Sequence, residues 1–314
     1  MERRHVVIGG TALCHSGKIA NTFPPPQDSH MARPLNLLLL SCFLSAVSAQ
    51  EKPKPLKGLL ITGGCCHDYA NQKRIITEGL SQRVNIEWDV IHEGGTGSDH
   101  KVSVYSKAGW ARKYDVIFHN ECFGGVKDDG FVAGIAEAHH AGVPAIFVHC
   151  ALHSYRNAPV GADAWRELIG VTSRSHEGKR GVEVVRLNSG HPVMKDFPEK
   201  WQTPNGELYK IEKVWPNCIP LAKAYGEDTK KDHTVIWINT FGRARVFGTS
   251  LGHHNETMNN DIWLDLVARG LLWSVDRLQP NGRPMKGYEG TGVKPIQLEV
   301  SLPQPVPDPA FAVK

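Results

Sequence analysis

The residues best suited to chemistry in this chain of 314 amino acids are its 16 histidines. Several of them come directly after short apolar runs, at the point where a buried strand would end, and a glutamate accompanies them. These residues are His67, His119, Glu121, His149, His153 and His253. Because the carboxyl ends of parallel strands form one edge of an open α/β sheet, we expect these side chains to line one pocket.

Three kinds of chemistry would suit such a pocket. Imidazoles titrate near neutral pH, so His67, His149 and His253 are predicted as general acid and base groups acting on a hydroxyl-rich ligand such as a sugar. The same three residues are the candidates for binding a divalent metal ion, although the chain lacks HxH and HExxH spacings. Cys150 with His253 as its base is the third alternative, but glycines do not flank this cysteine as they do in a nucleophile elbow.

Other histidines favour a structural interpretation. His139 and His140 lie within a predicted helix, so we expect both to be solvated. His176 lies in a polar stretch, residues 173–180, which is predicted to be a loop that could fold over the pocket.

The pattern of the chain predicts how these residues are positioned. Short apolar runs alternate with helical patterns, which is typical of a doubly wound α/β sheet. Strands are predicted over 58–62, 86–92, 114–118 and 145–148, and helices over 72–82 and 129–141. The second half is richer in strands, predicted over 182–187, 207–214, 219–224, 234–239 and 245–249, before a helix over 260–274.

Composition excludes several classes of protein. Apolar residues make up 41% and charged residues 22%, which describes a globular chain and excludes general disorder. The net charge is only +4, and no cluster of lysine and arginine is present, so we expect no nucleic-acid partner. A small molecule is the expected partner, and the composition leaves open whether the chain forms a homo-oligomer.

An apolar run over Leu35–Ala49 is too short to span a bilayer and instead resembles a secretory signal. Translation from Met31 would place Arg33 before the apolar run and small residues at its end, so that the mature chain begins at Gln50. This predicts a periplasmic or secreted protein that is free of the membrane after cleavage. The predicted organisation is an upstream over-extension or disordered tail (1–30), signal peptide (31–49), linker (50–57), main domain (58–278) and proline-rich tail (279–314).

Motifs in the main domain, taken in order, resemble those of the ThuA-like (trehalose utilisation) family. The motifs are Leu60-Ile61-Thr62-Gly63-Gly64, His67-Asp68-Tyr69, His149-Cys150-Ala151-Leu152-His153-Ser154, His191-Pro192-Val193, Glu207-Leu208-Tyr209, residues 243–253 and Gly270-Leu271-Leu272-Trp273. The resemblance implies a flavodoxin-like, class I glutamine amidotransferase-like fold. It also implies a secreted bacterial protein of carbohydrate metabolism, linked to disaccharides and 3-keto-sugars.

The resemblance completes the set of predicted site residues. Around the three catalytic histidines, the substrate-binding residues are predicted to be Asp68, Tyr69, Glu121, His153, His176, Glu207 and Tyr209. A divalent metal is the one cofactor that these residue types suggest. The alternative to an enzyme is an accessory protein that binds carbohydrate without catalysing a reaction. An amidotransferase-like hydrolase acting through Cys150 is the third hypothesis, although the Gly-x-Cys-x-Gly turn of those enzymes is missing.

Overall fold

The computed structural model describes residues 53–159 and 161–298. The predicted upstream segment, the signal peptide and the end of the proline-rich tail lie outside these residues. The strands are β1 (Leu56–Gly64), β2 (Ile86–His92), β3 (Val116–Cys122), β4 (Ala145–Val148), β5 (Val171–Lys179), β6 (Glu183–Arg186), β7 (Lys200–Gln202), β8 (Glu207–Val214), β9 (Ile219–Gly226), β10 (Lys231–Phe241) and β11 (Ala244–Thr249). The α-helices are α1 (Tyr69–Ser81), α2 (Asp129–His140), α3 (Gly161–Ile169), α4 (Asn255–Met258) and α5 (Asp261–Ser274).

The central sheet has nine strands in the order β2-β1-β3-β4-β11-β10-β9-β6-β7. Its first five strands are all parallel, in an order that matches the flavodoxin-like 2-1-3-4-5 arrangement. The other four strands pair antiparallel and form the strand-rich second half. β5 and β8 form a separate two-stranded antiparallel sheet. The α/β class predicted from the alternating pattern is therefore confirmed.

The parallel strands are apolar on both faces because the chain packs against each face. Leu60, Phe118 and Phe247 belong to one core, which α1 and α5 cover, whereas Ile117 and Phe147 belong to the core on the opposite face. The alternation of side chains along a strand divides these residues between the two cores. Because both faces of the parallel strands are covered, we expect polar side chains of this region at the edge where the strands end.

Two predicted elements differ from the structure. The third strand was expected to end at residue 118, but β3 continues to Cys122, so His119 and Glu121 lie within the strand instead of following it. Every residue of β3 is buried, and its polar side chains find polar partners in the interior. His176 lies in β5, not in a loop, because its backbone pairs with Tyr209 of β8, which is distant in sequence.

The prediction for His139 was also wrong. This residue of α2 is completely buried, whereas His140 beside it is exposed as expected. The imidazole of His139 bonds the carbonyl oxygen of Val143 through Nδ1 at 2.8 Å and lies 3.1 Å from Nε2 of His119 through its own Nε2. Polar partners on both sides make burial of this histidine tolerable.

Residues 279–298 follow α5 and run back along α1. The backbone N–H of Gly292 donates to the carbonyl oxygen of Gln82 at 3.0 Å, and Ile296 and Leu298 pack on the core that α1 covers. This path brings Leu298 to the edge where the parallel strands end. None of the helices in the described part of the chain is long and apolar enough to cross a membrane.

Candidate functional site

The first site histidine is positioned by a glycine turn after β1. Gly63 and Gly64 have φ angles of +128° and +103°, and a Cβ on Gly63 would lie 2.0 Å from the carbonyl oxygen of Glu93. Only glycine fits this backbone, which lets the chain turn sharply at the edge of the sheet. His67 follows the turn, and Asp68 begins α1 as its N-cap by accepting the backbone N–H of Asn71 at 3.2 Å.

The second histidine follows β4 directly. His149 begins a short 3-10 helix with a φ angle of +39°, in the left-handed region. Its Nδ1 lies 2.7 Å from the carbonyl oxygen of Ser250, which follows the neighbouring strand β11. This bond between two adjacent strand ends holds the imidazole in one orientation.

The third histidine, His253, follows β11 and completes a cluster. Its Nδ1 lies 2.9 Å from Nε2 of His67 and 3.1 Å from Nε2 of His149. One nitrogen from each of the three residues lies within 4.8 Å of the others, a spacing at which they could hold a metal ion. The structure therefore brings together the three histidines that the sequence pattern singled out, although 186 residues separate His67 from His253.

Glu207 joins this cluster from the two-stranded sheet. Its Oε2 lies 3.4 Å from Nε2 of His149 and 3.3 Å from Nδ1 of His253, and its Oε1 lies 3.2 Å from Nδ1 of His176. The sequence predicts Glu207 as a substrate-binding residue. In the structure its carboxylate contacts two of the three histidines directly.

Three predicted substrate-binding residues form the buried wall of the cluster. The rings of His153 and Tyr209 stack with centroids 3.9 Å apart and planes 1° from parallel, and Tyr209 also lies 4.3 Å from the ring of His149. Tyr69 donates its hydroxyl to the carbonyl oxygen of Cys65 at 3.1 Å and lies 3.3 Å from Nδ1 of His67. These contacts indicate that the three residues support the histidines.

Burial and charge set the ionisation of the cluster. Burial lowers the pKa of His67 well below its ordinary value, and the neighbouring His149 and His253 lower it further. Burial likewise lowers the pKa of His253 to about 4, against the opposing effect of Glu207. Burial opposes ionisation of Glu207, but the neighbouring imidazoles of His149 and His253 outweigh this effect and hold the pKa of the carboxyl far below its usual range. At neutral pH the site therefore combines an ionised carboxylate with neutral imidazoles at His67 and His253.

A cavity of about 410 Å³ opens beside His253. Most of the residues that line it are of polar types, including Asp68, Lys179, His254 and Asn255, with Leu298 at one side. His67 and His253 are each 9% exposed, so the cluster is buried but close to this opening.

Cys150 is bonded to Cys122 in a disulfide, so it offers no thiol for nucleophilic attack. Cys65 lies beside this bond, with its sulfur 3.8 Å from that of Cys122. The disulfide overturns the alternative in which Cys150 acts as a nucleophile with His253 as its base.

Glu121 and His119 do not take part in the site. The carboxylate of Glu121 accepts the hydroxyl of Tyr105 at 2.7 Å and lies 3.0 Å from Nδ1 of His119. Both residues are fully buried among aromatic rings, including Phe147, which stacks on His119 at 4.6 Å. The expectation that they line the pocket was wrong because β3 extends past them. Conversely, sequence reasoning missed Ser250, whose contribution is a backbone carbonyl and leaves no side-chain signal.

The chain is similar to known proteins of one family. The family model for ThuA, described as trehalose utilisation, matches residues 67–274. Among solved structures, a ThuA-like protein from Parabacteroides merdae is similar with a TM-score of 0.55 and 19% identity, covering 76% of this chain and 97% of that chain. A ThuA-like protein from Bacteroides uniformis has a TM-score of 0.55 and 14% identity, covering 74% and 96%. At such identities the likeness shows the fold.

The comparison with curated proteins found no match. The family model, in contrast, extends from His67 to the end of α5 and so contains all three clustered histidines and Glu207. The chain belongs to the ThuA family of trehalose utilisation, and with it to carbohydrate metabolism.

Proposed function

We propose that this protein binds and converts a disaccharide or 3-keto-sugar at the cluster of His67, His149 and His253, which the substrate reaches through the cavity beside His253. The observation that carries the proposal is the meeting of three imidazole nitrogens and one carboxylate beside a polar cavity. A volume of about 410 Å³ is within the range of roughly 300–1,000 Å³ that small-molecule sites occupy.

The chemistry of the cluster suits a sugar substrate. A neutral imidazole presents an unprotonated nitrogen, which can accept a proton from a hydroxyl group or from the carbon next to a keto group. Glu207 contacts His149 and His253, so its negative charge favours the imidazolium that such a step would form. The same imidazole can then return the proton to the product.

The opening of the pocket supports specificity for a hydroxyl-rich molecule. Asp68, Lys179 and Asn255 offer acceptors and donors of hydrogen bonds at the cavity surface. Asn255 donates its amide to Asp68 at 2.9 Å, so this part of the surface is already ordered before a ligand binds. An ordered polar surface reduces the entropy that is lost when a sugar binds.

The test is to assay the purified full chain with disaccharides and 3-keto-disaccharides, with and without divalent ions. We expect turnover of at least one of these sugars, and a loss of at least about 100-fold in turnover for His67→Ala or His253→Ala, as for groups acting directly in chemistry. Their effects should be strongly non-additive, because residues that act as a unit lose most of their function with the first removal. His140→Ala, which removes an exposed imidazole on α2, is the matched control.

Two results would contradict the proposal. Histidine variants that melt early but bind and convert sugar normally per folded molecule would make the cluster structural. Sugar binding without turnover in the wild-type protein would instead favour the alternative from another class, a carbohydrate-binding accessory protein. Measuring the thermal midpoint and sugar binding on the same samples separates these outcomes.

A further inference from the structure

The hydrogen positions in the histidine cluster follow from the partners of each ring. Nδ1 of His149 faces the carbonyl oxygen of Ser250 at 2.7 Å, and a carbonyl can only accept. Nδ1 must therefore carry the hydrogen. When the His149 imidazole is neutral, Nδ1 holds its one hydrogen and Nε2 presents a lone pair to the cluster.

His67 has the same arrangement. Its Nδ1 lies 3.4 Å from the carbonyl oxygen of Cys65 and 3.3 Å from the hydroxyl oxygen of Tyr69. The Tyr69 hydroxyl uses its single hydrogen on the Cys65 carbonyl, so its oxygen can only accept from His67. Nε2 of His67 therefore also presents a lone pair to the cluster.

His253 cannot satisfy all the acceptors that face it. Its Nδ1 lies 2.9 Å from Nε2 of His67, 3.1 Å from Nε2 of His149 and 3.3 Å from Oε2 of Glu207. One N–H can be directed at one of these three acceptors, and the remaining acceptors would then face each other. Buried acceptors without donors are costly, so the arrangement calls for a positive centre among them.

We propose that His67, His149, His253 and Glu207 bind one divalent transition-metal ion. A tetrahedral ion with bonds of about 2.0–2.1 Å spaces its ligand atoms about 3.3–3.4 Å apart, and octahedral coordination spaces neighbouring ligands about 3.0 Å apart. Four of the six pairs of ligand atoms are 2.9–3.4 Å apart, which covers this range. Imidazole nitrogens with one carboxylate oxygen are a donor set that zinc, manganese and iron accept.

Polar groups hold three of the four ligands from behind, as the groups that surround bound metal ions in proteins do. Carbonyl oxygens hold the outer nitrogens of His67 and His149, and Nδ1 of His176 lies 3.2 Å from the outer oxygen of Glu207. Such partners orient ligands and raise their basicity. The cavity beside His253 leaves a side from which a substrate oxygen could approach, as the open position of a catalytic metal site requires. An ion there would polarise a keto or hydroxyl oxygen of the sugar.

The inference rests on the proposed function for its site, but its test needs no sugar. The full chain is stripped with a chelator and then titrated with Zn²⁺, Mn²⁺ or Co²⁺ by calorimetry, with bound metal measured by elemental analysis and Co²⁺ also followed by its visible spectrum. We expect one equivalent of at least one of these ions to bind and raise the thermal midpoint. The affinity should fall at least about 100-fold in His253→Asn and at least about 10-fold in Glu207→Gln.

Two further variants make the result decisive. His149→Asn removes a ligand while placing a residue that tolerates the positive φ at this position, so it is the substitution most compatible with folding. His140→Ala again removes an exposed histidine and should leave the affinity and the stoichiometry unchanged. Near-ultraviolet circular dichroism of the metal-free variants establishes that they are folded. If His149→Asn fails to fold, Glu207→Gln, which lies in the other sheet, tests the same ion.

The proposal is overturned if the wild type binds none of the three ions, or if binding is the same in Glu207→Gln and His253→Asn as in the wild type. Two other results distinguish the metal site from the proposed function in sugar conversion. A protein that binds the ion but neither binds nor converts sugar would refute the proposed function alone. Sugar conversion by protein shown to hold and require no metal would refute the metal site alone.

Discussion

The buried imidazole of His139 predicts a measurable loss of stability in acid. Burial lowers the pKa of this histidine to about 3, and the neighbouring His119 adds to the effect. In the unfolded chain an ordinary histidine has a pKa of about 6.5. Below that value the unfolded chain binds a proton that the folded protein excludes, so stability is greatest above pH 6.5 and falls as the pH decreases towards 3.

The magnitude follows from the two pKa values. Below the pKa of the unfolded chain, each unit of pH changes the free energy of unfolding by about 1.36 kcal/mol for one proton. Because that pKa is about 6.5, lowering the pH from 7.5 to 5 should reduce the free energy of unfolding by about 2 kcal/mol through His139 alone. Other buried histidines add to the total slope, so the informative quantity is a difference between variants. His139→Asn does not titrate in this range and should remove this share of the slope.

The assay is urea unfolding at several pH values between 7.5 and 5. An asparagine can still donate to the carbonyl of Val143 but leaves the donor of His119 without its partner, so His139→Asn should be less stable by about 1–3 kcal/mol at pH 7.5. That deficit should shrink by about 2 kcal/mol at pH 5. His140→Asn, on the same helix but exposed, is the control and should follow the wild type. Parallel curves for the wild type and His139→Asn would refute the reasoning.

Three other predictions concern the disulfide, the glycine turn and processing. Cys150→Ser breaks a disulfide between residues 28 apart and should lower the free energy of unfolding by about 3–4 kcal/mol. Sugar turnover per folded molecule should change less than about tenfold. A loss of 100-fold in a folded variant would instead indicate a direct role for this cysteine. Gly63→Ala should lower the thermal midpoint more than Gly95→Ala, where an added Cβ meets no atom within 4 Å, and equal midpoints would contradict the argument from backbone contact. Translation from Met31 should yield exported protein that begins at Gln50, and N-terminal sequencing that finds any residue before Met31 would contradict this.

The sequence by itself was sufficient to predict the sheet and the meeting of three histidines. Apolar runs of strand length end just before His67, His149 and His253. Because the carboxyl ends of parallel strands lie at one edge of a sheet, these three residues were expected to meet there. The prediction succeeded because both signals are local: the pattern of a strand and the residue that follows it.

Other features depended on tertiary structure alone. The family resemblance named Glu207 as a site residue, but its direct contact with the histidines depends on the pairing of β8 with β5, and pairing between distant segments has no local signal. The polar residues at the end of β3 resembled a loop but are buried, since His119, Glu121 and Tyr105 contact one another inside the core. His139 similarly resembled a solvated helix residue. A local pattern shows which residues are polar, but only the folded chain shows which polar groups find partners and can therefore leave water.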